Sequence, residues 1–263
     1  MNRLAIIASV VLSAAAAATA GAEMPPASQR NFVSCPIVRD TATVPCWLSE
    51  YDGELYYLGI QTDVSADFDP PFLGHNVLVE GTISEQPRIC GGIVLDPVRI
   101  SPMLDFDARC NTILPAEDRY TVPFAPRPPG PSGGRLAFER PPSEPEVLRP
   151  PYPEREFEIF YDFDMLIMGR DAATLAQILD YATKIDARTI QVTGSSGATL
   201  LSDGTTLTED ASIAVKRADE VARLLETGGL GDRRFEISNA SEQEEPDGVE
   251  DWRARRTIIR VVP

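Results

Sequence analysis

Between Pro123 and Pro153 the chain is so rich in proline that neither helix nor sheet can run through it, and this stretch divides everything else. Pro126, Pro128, Pro129, Pro131, Pro141, Pro142, Pro145, Pro150 and Pro151 stand there, with Gly130, Gly133 and Gly134 among them. Each proline fixes φ and removes a backbone donor, so the segment reads as an extended, semi-rigid spacer. The expected plan is a first domain over 23–120, the spacer over 121–153 and a second domain over 154–263.

A leader over 1–22 precedes them. Arg3 opens it, an alanine-rich apolar core follows from Leu4 to Thr19, and Ala20-Gly21-Ala22 offers a small-x-small cleavage site. That order is a secretory signal peptide, and it predicts an exported, periplasmic protein. No later stretch is apolar and long enough to span a membrane as a helix. Cys35, Cys46, Cys90 and Cys110 all fall in the first domain. An even number in an exported chain predicts disulfides rather than a metal site. Three pairings are open. Cys35–Cys46 with Cys90–Cys110 is favoured because each closes a local loop. With 24 basic and 40 acidic residues the formal net charge is −16, which excludes nucleic acid and anionic lipid as partners.

The predicted fold class is α+β. In the first domain Val44 to Glu50 and Glu54 to Gln61 flank the turn Asp52-Gly53, a hairpin signal. Asn76 to Ile83 and Ile93 to Ser101 read as further strands, with Pro97 marking an edge or bulge. A small β-barrel, OB-like in outline, would bury them. The second domain alternates. Phe157, Ile159 and Tyr161 form one face of a strand, and Asp171 caps a helix with Leu175, Ile178, Leu179 and Ala182 on one side. Arg188 to Val192 is a strand, and Ala211 to Leu225 is a helix ended by Gly228-Gly229. Two more strands, Phe235 to Ile237 and Thr257 to Val262, complete a sheet with helices on one side.

Four tracts of the second domain resemble the OmpA-like peptidoglycan-binding domains. Tyr161-Asp162-Phe163-Asp164 is similar to that family's F-D-F-D opening. Val192-Thr193-Gly194 resembles the strand that enters its G-H-T-D loop, Lys216-Arg217-Ala218 with Val221 its R-R-A-x-x-V helix, and Arg255-Arg256 its closing N-R-R-V. The resemblance implies a βαβαββ sandwich that holds the amine and carboxylate of diaminopimelate, through the loop aspartate and the helix arginine. The arginine is present as Arg217. Gly197 stands where the aspartate would, Ala254 where the asparagine would, and about five extra residues fall around Leu201 to Glu209. Asp203 or Asp210 could reach back to replace the missing carboxylate, and Asp164 matches a position near the pocket. The ligand-site candidates are therefore Arg217, Asp164 and Asp203. Peptidoglycan is the implied partner, and a contact module for envelope or secretion proteins is the alternative.

Other chemistry has little to stand on. Val192 to Ala198 has the glycines of a dinucleotide turn, but a polar tract with Asp203-Gly204 follows instead of a helix. His75 is the sole histidine and has no evident nucleophile partner. Neither catalysis, a cofactor nor a metal is expected.

Overall fold

The computed structural model describes residues 24–60, 68, 70–120, 122, 149–166, 172–240 and 244–263. The expected leader, nearly all of the spacer and Asp171 lie outside them.

The α+β class holds. The first domain is a seven-stranded sheet of β1 (Gln29–Ser34), β2 (Pro36–Arg39), β3 (Cys46–Tyr51), β4 (Glu54–Ile60), β5 (His75–Ile83), β6 (Ile93–Phe106) and β7 (Thr112–Leu114). The strand order is β1-β5-β6-β4-β3-β2-β7, an open sheet rather than the closed barrel expected. Its two flanks still meet in the chain, because only Cys35 separates β1 from β2. The Asp52-Gly53 hairpin is present, with both residues at positive φ. Pro97 lies inside β6, where the register against β5 shifts between Gly81 and Ile83, as a strand with a missing donor requires. Phe32, Tyr56, Leu58, Val77, Val79 and Leu95 form the larger apolar cluster.

The disulfides are Cys35–Cys110 and Cys46–Cys90, which corrects the local pairing. Strand register explains why. In the β2–β3 hairpin Arg39 faces Cys46 and Pro36 faces Ser49, so Cys35 and Cys46 lie at opposite ends. Cys90 and Cys110 are separated by the whole of β6, which at about 3.3 Å per residue exceeds disulfide reach. Parallel pairing of β7 with β2 instead brings Cys110 beside Cys35.

The second domain has β8 (Arg155–Phe160), α1 (Ala172–Lys184), β9 (Thr189–Gly194), β10 (Ala198–Leu200), β11 (Thr206–Thr208), α2 (Ser212–Leu225), β12 (Arg234–Asn239) and β13 (Arg256–Val262). Four strands form a sheet in the order β12-β9-β13-β8. Ile178, Tyr181 and Ala182 of α1 and Ala218, Val221 and Leu225 of α2 pack on Ile159, Ile190, Val192, Ile259 and Val261. Gly194 ends β9 where α2 crosses: a Cβ there would lie 2.0 Å from the Ala214 carbonyl oxygen. The dinucleotide turn is absent, since β10 rather than a helix follows the glycines.

The extra residues form the small antiparallel hairpin β10–β11. Its base lies in the second domain, and its turn lies on the first.

Candidate functional site

The Tyr161-Asp162-Phe163-Asp164 tract leaves β8 with its aromatic residues turned inward. Tyr161 and Phe163 are buried, and each offers its ring to a buried arginine: Arg217 sits 4.6 Å from the Tyr161 centroid and Arg255 5.7 Å from that of Phe163. Two arginines in an apolar interior are costly unless each is paired and fully hydrogen-bonded. Both are paired, and their partners come from different places.

Arg217 projects from α2. Its Nη2 donates to Glu209 Oε1 at 2.6 Å and its Nη1 to Glu209 Oε2 at 2.8 Å, a bidentate fork. Nε donates to the Met165 carbonyl, Nη1 also to that of Ser195, and Nη2 also to that of Asp162. All five guanidinium N–H groups are thereby engaged. The Glu209 carboxylate is equally saturated. Beside the two arginine bonds, Oε1 accepts from the Asp164 N–H and Oε2 from the Gly197 N–H, each at 2.8 Å. Neither side chain of the pair is exposed at all.

The sequence-predicted residues fall around this pair in different roles. Asp164 borders it, at φ 55°, with its backbone on Glu209. Burial and the neighbouring Glu209 charge raise its carboxyl above the ordinary range. Asp203 does not reach the site. Its Oδ1 accepts from the Thr205 N–H and hydroxyl and fixes the turn of the hairpin, and these bonds lower its carboxyl. Asp210 accepts from the Ser212 N–H at the start of α2. The carboxylate that pairs with Arg217 is Glu209, one residue before Asp210. No local pattern marks it, since Glu209 lies between β11 and α2, outside any helix.

Gly197 has no room to be an acid. A Cβ there would lie 2.7 Å from Arg255 Cγ and 3.2 Å from Ala254 Cβ.

Arg255 is held from the first domain. Its Nη1 donates to Thr199 Oγ1 at 2.9 Å, and its guanidinium forks onto Glu80 of β5, which also accepts from the Thr199 hydroxyl. Glu80 faces Asn31 across the β1–β5 ladder. The Asn31 side-chain amide donates to the carbonyls of Leu200 and Gly248, and its backbone exchanges hydrogen bonds with Ser202. Arg99 of β6 lies over Trp252, 4.7 Å from the ring centroid, and pairs with Asp162. A small cleft of about 140 Å³ opens along this seam between Asn31, Glu80, Arg99 and Trp252. Despite the spacer, the two domains meet through buried polar groups.

Among the described residues no cluster of three or more acids, cysteines or histidines could hold a metal, and no helix is long and apolar enough to cross a membrane. No protein-family model matches the sequence, and no curated protein does. Among solved structures, a MotB-like protein from Desulfovibrio vulgaris superposes with a TM-score of 0.33 at 13% identity, over 41% of this chain and 75% of that one.

Proposed function

We propose that this is an exported envelope protein that works by binding rather than by catalysis, and that its C-terminal domain is an OmpA-like contact module whose ligand pocket is filled by its own chain. The observation that carries the proposal is the Arg217–Glu209 pair, with both side chains sealed from solvent. An external carboxylate would have to displace an internal one that already makes four hydrogen bonds. The two disulfides and the leader-like N-terminus support the exported setting. Phe72, Leu104 and Phe106 favour protein partners. Phe106 faces His75 at one end of the β5–β6 ladder, with Leu104 two residues before it and Phe72 three residues before His75. Phe72, Leu104 and Phe106 are 67%, 63% and 73% exposed.

A second reading, association with peptidoglycan through Arg217, is favoured by one feature. The donor set around Glu209 is intact, and it is a carboxylate site in full working geometry. Sedimentation with purified sacculi separates the two. Under the contact-module reading, the wild-type protein and Arg217→Lys both stay in the supernatant. Wild-type protein that pellets with sacculi, and loses that property in Arg217→Lys, would replace it with the peptidoglycan reading.

A further inference from the structure

The hairpin β10–β11 has one end in the Arg217 site and the other on the first domain. At its base, Glu209 fills the cradle made by Arg217 and the Asp164 and Gly197 N–H groups. Along its first strand and turn it is gripped by the first domain: Leu200 and Ser202 by Asn31, Thr199 by Glu80. Asn31 and Glu80 are cross-strand neighbours of β1 and β5, so these bonds come from one small patch of the first domain. The second domain adds two bonds to the same strand: Asp251 accepts from the Leu200 N–H, and Arg255 Nη1 donates to Thr199 Oγ1. Ala198, Thr199 and Leu200 are all buried, whereas Thr206 and Thr208 of the return strand are exposed. Strand β11, which leads directly into Glu209, thus has little holding it except its pairing with β10.

We propose that this hairpin is a built-in plug: Glu209 acts as an internal ligand of a carboxylate cradle, and the first domain holds the plug shut through Asn31 and Glu80. The proposal goes beyond the contact-module reading by specifying what the filled pocket takes and what controls it. A carboxylate-bearing group reaches Arg217 only when the grip on β10 is released, so occupancy of the cradle and docking of the first domain oppose each other. Linkage makes this reciprocal: whatever loosens the first domain raises affinity at the cradle, and a carboxylate in the cradle loosens the first domain.

The cradle is tested by chemical rescue in the full chain. Glu209→Ala removes the internal carboxylate and leaves Arg217 unpaired. Sodium acetate or propionate should then raise the melting temperature of the variant saturably, by roughly 3–6 °C at tenfold excess over its dissociation constant. Sodium chloride at equal ionic strength should not, and the wild type should show no such difference between salts. If the variant emerges unfolded, its refolding yield in acetate against chloride is the readout. Acetate that does no better than chloride in either measurement would overturn the cradle.

The grip is tested separately with Asn31→Ala. Hydrogen exchange at the Gly197 and Asp164 amides, both of which donate to Glu209, should speed up at least tenfold, while exchange in β12 stays as in the wild type. Unchanged protection of these two amides would overturn the control by the first domain. Neither measurement uses sacculi or a protein partner, so failure here is distinct from failure of the contact-module reading.

Discussion

Glu209 and Arg217 meet through two parallel hydrogen bonds of 2.8 and 2.6 Å in a place that water does not reach. Such a pair need not stabilise the fold relative to apolar residues of the same shape, but a broken one is severe, because the survivor is a buried charge without a partner. Arg217→Ala should therefore cost about 3–5 kcal/mol, and Glu209→Ala a similar amount. The double replacement Glu209→Leu with Arg217→Met should cost much less than the sum of the single losses. Urea unfolding of the four proteins checks this, and additive losses would show that the two residues do not act as a unit.

Placing an acid at position 197 should fail here. Gly197→Asp would place its Cβ against Arg255 and Ala254, so the chain must shift to admit it. A loss of roughly 1–3 kcal/mol is expected from overpacking alone, with the added carboxylate close to Glu209 making it worse. A thermal melt equal to the wild type would show that the loop has room after all.

Asp164 gives a pH dependence with a definite sign. Its carboxyl is raised in the folded protein, first by burial and then by the charge of Glu209. The folded state thus holds this proton more tightly than the unfolded state does. Stability from this group is complete below the ordinary aspartate range, about 3.9, and is lost as pH rises through the raised value. Asp164→Asn keeps an oxygen for the Asp210 N–H and tolerates the positive φ, yet cannot ionise. It should be more stable than the wild type at pH 7, with the advantage vanishing near pH 3. An advantage that persists unchanged at low pH would assign the effect to something other than ionisation.

How far the sequence reached can be judged from these same residues. Apolar periodicity located both helices of the second domain and its four main strands, because each buries one face on a common core. It missed β10 and β11. Three-residue strands carry too short a pattern to register, and what covers β10 is distant in the chain, in Asn31, Glu80, Asp251 and Arg255. The same blindness explains the carboxylate. The need for an acid beside Arg217 was legible from the absent aspartate, but Asp203 and Asp210 are turn and helix-start residues by type, and both took those roles. Glu209 has no such local use and was free to turn inward. The disulfides show the limit most plainly: proximity in sequence favoured Cys35–Cys46, while parallel pairing of β7 with β2 decided for Cys35–Cys110.

Those disulfides close loops of 75 and 44 residues, so the chain-entropy estimate assigns each on the order of 4 kcal/mol. All four cysteines are bonded. Non-reducing peptide mapping should recover Cys35 linked to Cys110 and Cys46 linked to Cys90, with no thiol open to alkylation before reduction. Reduction should lower the denaturant midpoint of the first domain sharply. A Cys35–Cys46 peptide would contradict the strand order as well as the pairing.

The seam carries the last prediction. A proline-rich spacer alone would let the domains unfold independently, yet Glu80 of the first is forked onto Arg255 of the second, and Arg255 is fully buried. Pulling the domains apart leaves that arginine without its counter-charge and strips Asn31 of two acceptors. The cost falls on both domains at once, so they should unfold together. The chain's two tryptophans report this, since Trp47 lies in β3 and Trp252 beside the seam in the second domain. With 5-fluorotryptophan incorporated, the two fluorine resonances should lose intensity at the same urea concentration in the wild type. Glu80→Ala should cost about 3–5 kcal/mol and split the midpoints, because it leaves Arg255 as a buried charge without a partner at the seam. Glu80→Gln keeps an oxygen for Thr199 but no charge, and should fall between the two. Midpoints already separate in the wild type would show that the seam does not join the domains, and the control of the cradle by the first domain would lose its basis with it.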